Sequence, residues 1–488
     1  MLPLVIDSWD GLPSPAGVLV RLPSAPYCFV LESQGGPADI ARYSFVGQRP
    51  FLCFQARGRT LTVREAGAVA GYQWEGDPYE ALESLLKRYS VAPAPGLPPF
   101  SGGAVGYLAY DLGRHVERLP ATARDDLALP EAWLGFYDHC LAFDHLAGRT
   151  YAIALPLPGR EAQAIQGAEQ LARIARAEQS RPGPASPAVA LPLATCGGLA
   201  SNFTRADYLR AVERALGHIG AGHVYQVNLS QRLTAHMPCS AEALYHRLRA
   251  ANPAPFAAFL DLGDIQLVSA SPERFLRLDP VTQCVETRPI KGTRPRGVTP
   301  AEDSGLKEEL LTSAKDQAEL VMIVDLERND LGKVCQYGTV RVPQLGRVEA
   351  YPTVFHTVAT VQGRLRPGTR RADLLRAAFP GGSVTGAPKV RAMQIIEELE
   401  RLRRHVYCGA IGYLGFDGGL DLNIAIRTIT VKGEWAYFHA GGGIVADSQP
   451  EAEYEETLDK ARALAEALGL SVDGLSGQSG SGHGADLA

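Results

Sequence analysis

No apolar run in this chain approaches the roughly 20 residues that a membrane-spanning helix needs, so no membrane segment is expected. Positive charge is not in excess either. The chain has 48 Lys and Arg against 53 Asp and Glu, a formal net charge of −5, which gives no electrostatic case for binding nucleic acid. Cysteine is sparse and scattered. The eight cysteines stand at 28, 53, 140, 196, 239, 284, 335 and 408 without a Cys-x-x-Cys pair, a spacing that offers neither a zinc site nor a disulfide framework. Free thiols in a reducing cytoplasm are the expectation. The start, Met1 to Asp7, lacks the basic residues and long apolar core of a secretory leader, and no period of solenoid length is visible.

What is present reads as an ordinary globular enzyme-sized chain. Its 488 residues suit two or three domains, or one large domain with two subdomains. The 46% hydrophobic and 21% charged content is typical of globular proteins. Residues 179–202 are rich in Pro, Ser, Ala and Gly and have no amphipathic period, which predicts a linker or long loop between regions 1–178 and 203–472. Residues 473–488, mostly Gly and Ser, predict a disordered tail. Helical periodicity appears over Pro78–Tyr89, after Thr204, over Leu306–Asp330, Pro388–Arg404 and Pro450–Leu468. Strand-like runs include Val224–Ser230, Leu420–Val431 and Trp435–Phe438, the last leading into the turn-like Gly441-Gly442-Gly443. Strands and helices do not alternate strictly, which predicts an α+β fold.

Lys291 is the most informative residue. It stands in Thr287-Arg288-Pro289-Ile290-Lys291-Gly292-Thr293-Arg294-Pro295-Arg296-Gly297, where proline and glycine fix the backbone and let it approach a ligand. Partial burial and three neighbouring arginines would favour the neutral, nucleophilic amine. The alternative is a solvated turn. Phe379 to Arg391 forms a glycine-rich loop entering a helix, a place where free N–H groups can bind a carboxylate or phosphate. It lacks the Gly-Lys-Ser/Thr ending of a Walker loop. Glu319 shares a helical face with Met322, Ile323 and Leu326, while Glu456 lies in a later helix. Two carboxylates from separate helices suit Mg²⁺, although a solvated acidic face explains Glu456 equally. Arg427 interrupts an apolar strand, as a partner for a ligand carboxylate or for a structural ion pair. His356 is flanked by apolar residues, the setting of a core histidine.

On longer strings the chain resembles the chorismate-utilising enzymes, and among them the aminodeoxychorismate synthase branch. The strings are Tyr225 to Arg232, Ser271-Pro272-Glu273-Arg274-Phe275, Pro289 to Gly297, Asp325 to Gly332, Gly381 to Gln394 and Ala440 to Ser448. The match is dense over about 203–470 and looser before it, through Val30-Leu31-Glu32-Ser33. The resemblance implies a large fold of stacked β-sheets flanked by helices, with two intertwined subdomains. It implies Glu319 and Glu456 as Mg²⁺ ligands, and Gly292, Thr293, Tyr407, Arg427, Gly441, Gly442, Gly443 and Lys460 around chorismate. Lys291 would be the nucleophile and Glu273 the general acid, and His356 belongs to a motif of the ring chemistry. Lysine at 291 matches the aminodeoxychorismate synthases, whereas the anthranilate synthases carry alanine there. Isochorismate and salicylate enzymes place a water-activating lysine where this chain has Gln226. No glutaminase nucleophile motif is present, so ammonia is expected from solution or from a separate glutamine amidotransferase subunit. The alternatives are an anthranilate synthase large subunit with lysine at 291, or a non-catalytic amino-acid sensor. Related N-terminal regions bind tryptophan, and Ser33, Pro253 and Phe256 partly match that site, with Ala254 replacing the usual serine.

Overall fold

The computed structural model describes residues 2–23, 26–181 and 198–475. Most of the expected linker, and the tail from 476, lie outside these residues. Among the described residues the chain builds two antiparallel sheets of 12 strands each. Both draw strands from either side of the linker. In the first sheet Cys28–Glu32 pairs with Phe256–Asp261, with Val30 opposite Phe259. In the second, Gly103–Leu108 pairs with Ala410–Gly415, with Gly106 opposite Gly412. The two regions therefore share both sheets, an intertwined α+β arrangement.

The sheets stack face to face on aromatic side chains. Phe29 from the first sheet meets Tyr137 from the second edge-on at 4.7 Å, and Phe45 meets Tyr413 at 5.8 Å. Each such pair adds about 0.5–1.5 kcal/mol to the gain from burial. Helices cover the outer faces. Arg205–Gly220, Ala241–Ala251 and Pro450–Ala467 lay Tyr208, Leu244 and Leu458 on the first sheet. Pro78–Arg88, Ala314–Gly332 and Arg371–Ala378 lay Leu82, Leu320 and Leu374 on the second. Among the described residues no helix is long and apolar enough to cross a membrane, and seven cysteines are free thiols.

Three expected elements differ. The single helix over Leu306–Asp330 is two, Pro300–Thr312 and Ala314–Gly332, because the Ser313 side chain caps the second by accepting from Asp316 N. Gly441, Gly442 and Gly443 are not a turn. They continue the strand Trp435–Ile444, opposite Ser230, Leu229 and Asn228. The strand over Leu420–Val431 is broken, because Leu420–Asn423 belongs to the second sheet and Thr428–Lys432 to the first. The chain crosses between sheets at Ile424–Arg427, and Arg427 takes φ +51° to make the turn. A second crossing lies beside it, where Ile265–Ser271 leaves the first sheet and Arg274–Leu278 enters the second. Backbone bonds join the two crossings, Ile424 N to Glu273 O and Ala270 N to Arg427 O, each 3.0 Å.

Candidate active site

The paired crossings put Glu273 and Arg427 at one end of the sheet stack. Ile290–Pro295 pairs with Val354–Arg364 there, setting Thr293 opposite His356. Lys291 is half-buried and its Nζ donates to Ser383 O at 3.2 Å. The glycine-rich segment thus meets the lysine through a carbonyl. That segment is held from behind by Arg404, which donates to Val384 O and Asn228 O at 2.9 Å each and makes a bidentate pair with Glu400.

The charges around Lys291 differ from the expectation. Its electrostatic neighbours are the carboxyls of Glu273, Glu319 and Glu456. The three arginines of its motif are each paired elsewhere: Arg288 with Glu349, Arg294 with Glu309 and Asp316, Arg296 with Asp303. These three arginines therefore do not favour the neutral amine through like charge. Each guanidinium found a nearer carboxylate on the surrounding strands and helix.

Glu273 is 5% exposed. Burial raises its carboxyl above the ordinary range, partly offset by Lys291 and Lys460. Burial also raises Glu319. For Glu456 burial pushes up, but Lys460, 2.5 Å away, more than offsets it and holds the carboxyl low. Glu319 and Glu456 repel each other across the cleft. Among the described residues no group of three or more His, Cys, Asp or Glu side chains surrounds one point. Two carboxylates from different helices, with ligand and water oxygens completing the shell, still fit the way Mg²⁺ is held. Glu453, one turn before Glu456 and missed in the sequence, points the same way. A Cβ on Gly442 would meet Glu453 Oε2 at 3.1 Å and Glu456 Oε1 at 3.2 Å. Only its i−3 spacing from Glu456 marked it.

Arg427 is the side chain here whose charge could hold an anion. It makes no ion pair with a carboxylate among the described residues, and burial holds its guanidinium below the ordinary range, with Tyr407 opposing. Tyr407 is 7% exposed and its ring stacks on His439 at 4.8 Å, 9° from parallel. His356 accepts or donates at Nδ1 to Thr293 Oγ1, 2.9 Å. Burial first, then Arg427, pushes His356 down to about 4. It is a neutral imidazole at neutral pH. The glycine strand brings bare backbone into this space: a Cβ on Gly441 would lie 2.4 Å from Leu229 O, and one on Gly443 2.0 Å from Gln226 Nε2. Lys460 Nζ donates to Gly441 O at 3.0 Å. Gly292, at φ +73°, turns the strand directly after Lys291.

Ser33 and Phe256 lie elsewhere, on a cavity of about 390 Å³ with Glu32, Arg42, Arg274 and Asp421 on its wall. Ser33 Oγ donates to Pro255 O at 2.9 Å, and Pro255, not Pro253, lines the space. This cavity is not lined by Lys291, Glu319, Arg427 or Glu456.

An unpaired guanidinium, two lysines, bare glycine backbone and facing carboxylates define an enzyme site for a small polyanion. The profile of the family described as chorismate binding enzyme matches residues 28–466, and the chain belongs to that family. It is 44% identical over 92% of its length to anthranilate synthase component 1 of Thermus thermophilus, covering 94% of that protein. It is 40% identical over 92% of its length to aminodeoxychorismate synthase component 1 of Escherichia coli K12, covering 94% of it. The crystal structure of anthranilate synthase component I from Streptococcus pneumoniae TIGR4 superposes with a TM-score of 0.76 at 32% identity, over 87% of this chain and 92% of that one.

Proposed function

We propose that this chain aminates chorismate at C4 to give 4-amino-4-deoxychorismate, in the cytoplasm, with Mg²⁺ bound and with ammonia supplied by a separate glutamine amidotransferase subunit. The observation that carries the reading is Lys291, an amine held by Ser383 O among Glu273, Glu319 and Glu456, where the anthranilate-type enzymes resembled here have alanine. Neutral Lys291 attacks C2, and the C2–N bond forms as the C4–O bond breaks. Glu273, its carboxyl raised by burial, protonates the leaving hydroxyl, which departs as water. Ammonia then adds at C4, the C2–N bond breaks, and lysine is regenerated. The new ammonium returns its proton to Glu273, so chorismate and ammonia give product and water. Arg427 and the glycine strand hold the substrate carboxylates and Thr293 with His356 borders the ring, while Tyr407 walls the pocket. Glu319 and Glu456 would hold Mg²⁺, which supplies charge neutralisation at a substrate carboxylate.

The second reading is an anthranilate synthase large subunit, favoured by the 44% identity to such a relative. Mass analysis of the product from chorismate, Mg²⁺ and ammonium salt decides. Aminodeoxychorismate retains the pyruvyl group, and anthranilate with free pyruvate as main products would overturn our reading. We assign the cavity beside Ser33 and Phe256 to tryptophan. Calorimetric titration with tryptophan tests that assignment, and absence of binding removes it.

A further inference from the structure

Ser383 is the residue through which the glycine-rich segment meets the lysine. Its carbonyl accepts from Lys291 Nζ at 3.2 Å. The residue is 6% exposed, and its Oγ is shut off from solvent with no hydrogen-bond partner among the described residues. Native structures rarely leave a buried hydroxyl unpaired. A loose turn is not the reason here. Gly382–Val384 is a single 3₁₀ turn, clamped on both sides of the serine. On one side Thr385 Oγ1 donates to Gly381 O at 3.0 Å and to Gly382 O at 3.2 Å. On the other, Arg404 Nη1 donates to Val384 O at 2.9 Å.

Glu273 borders the same turn. A Cβ on Gly381 would lie 2.6 Å from Ile424 Cδ1, and Ile424 N donates to Glu273 O at 3.0 Å. Glu273 Oε1 is 3.4 Å from the backbone N of Ile290, the residue before Lys291. The serine hydroxyl faces that carboxyl, and its influence there favours the ionised form. One residue thus presents its carbonyl to the proposed nucleophile and its hydroxyl to the proposed acid. An oxygen taking a proton from Glu273 must come within hydrogen-bond distance of that carboxyl, which is the group Ser383 Oγ faces.

We propose that Ser383 is a further catalytic residue whose hydroxyl finds its partner in bound chorismate, donating first to the departing C4 oxygen and then to the Glu273 carboxylate. This rests on the acid role given to Glu273 above. While Glu273 carries its proton, the hydroxyl points at the C4 oxygen and polarises the C4–O bond. As that bond breaks, the Glu273 proton moves to the oxygen, which leaves as water, and the serine keeps its own proton. The hydroxyl then rotates about Cβ–Oγ onto the carboxylate and stabilises the charge left behind. A fixed turn carrying a free rotor suits this task, because only one hydrogen changes place between the two bonds.

The kinetics of chorismate consumption with ammonium and Mg²⁺, on the full-length protein, test the assignment. Ser383→Ala should lower kcat about thirtyfold or more, with the chorismate KM changing less than about threefold. The free variant should melt no lower than wild type, since the lost hydroxyl made no bond. A merely structural serine would give the opposite pattern, a lower Tm with the rate following it. Ser383→Cys has a side chain of similar shape but only a weak donor. It should lose at least about tenfold in kcat, and it decides alone where Ser383→Ala fails to fold. Turnover within about threefold of wild type in either folded variant, or a loss carried by KM alone, overturns the role. So does a Tm lowered in step with the rate. Mass analysis of the same reactions reads the other proposal separately. Anthranilate has lost the C4 hydroxyl too, so that product would overturn amination at C4 and leave the Ser383 result standing.

Discussion

Removing the Arg427 charge should stabilise the free protein while destroying its grip on chorismate. Its guanidinium is half-buried, lacks a carboxylate partner among the described residues and is held below its ordinary range by partial desolvation. An uncompensated charge so placed is a liability, tolerated where binding needs it. Arg427→Gln keeps a polar side chain at the same φ of +51°, so backbone strain is unchanged. We expect the free variant to gain about 1–2 kcal/mol, a rise in Tm of about 1–3 °C for a chain of this size. Chorismate loses a charge-assisted contact of about 3 kcal/mol, roughly a hundredfold in Kd. Scanning calorimetry with and without chorismate separates the two effects. Ligand at about 100 Kd of the wild type stabilises that protein by about 2.7 kcal/mol, but the variant by only about 0.4 kcal/mol. A free variant less stable than wild type, or one stabilised by chorismate as strongly, would refute the reading of Arg427 as an anion-waiting charge.

The remaining predictions concern the nucleophile, the metal and the buried histidine. Lys291→Ala should bind chorismate, because Arg427 and the glycine strand remain, yet form aminodeoxychorismate at least about a hundredfold more slowly. Wild type given chorismate without ammonia should show an adduct on Lys291 by intact mass, and full activity in the variant with no adduct would sink the covalent route. Glu319→Ala and Glu456→Ala should each raise the Mg²⁺ concentration needed for half-maximal rate, or abolish turnover; unchanged Mg²⁺ titrations would remove them as ligands. His356 has its folded pKa depressed to about 4, so the unfolded chain binds the extra proton as pH falls from about 6.5. Stability on this account is full above pH 6.5 and lost down to pH 4, by about 3 kcal/mol in total. Urea unfolding of His356→Gln should show a shallower acid decline over that window, and parallel curves for the two proteins would contradict a buried neutral imidazole.

Much of the fold was legible because its local rules are kept. The apolar stripe of Pro450–Ala467 and the Thr204 cap gave helices within a few residues of those observed, whereas the strand expected over Val224–Ser230 starts at Gln226 and runs on to His236. Leu306–Asp330 misled because its periodicity continues across Ser313, and only the cap chemistry of that serine divides it. The arginines near Lys291 misled for a different reason. Sequence proximity placed them beside the lysine, but Glu349, Glu309, Asp316 and Asp303, distant or turned in the chain, neutralise them.

Two of the places where local expectation failed, Arg427 and the glycine strand, belong to the proposed site, where function can override regularity. Arg427 breaks an apolar strand because the chain changes sheets there, and Pro272 precedes Glu273 at the matching change. A strand that stayed in one sheet would bury its side chains in the stack or show them to solvent, in strict alternation. A crossing escapes that alternation. It can turn a carboxyl and a guanidinium inward from backbone that both sheets clamp, which is the rigidity an oriented acid and an anion anchor require. The glycine strand supplies the complement: Gly441 to Gly443 stay in register with Ser230 to Asn228, and because they carry no Cβ the opposing wall is polar backbone. In the proposed reading, two crossings and one bare strand make an anion site from a stack of sheets whose interior is otherwise apolar.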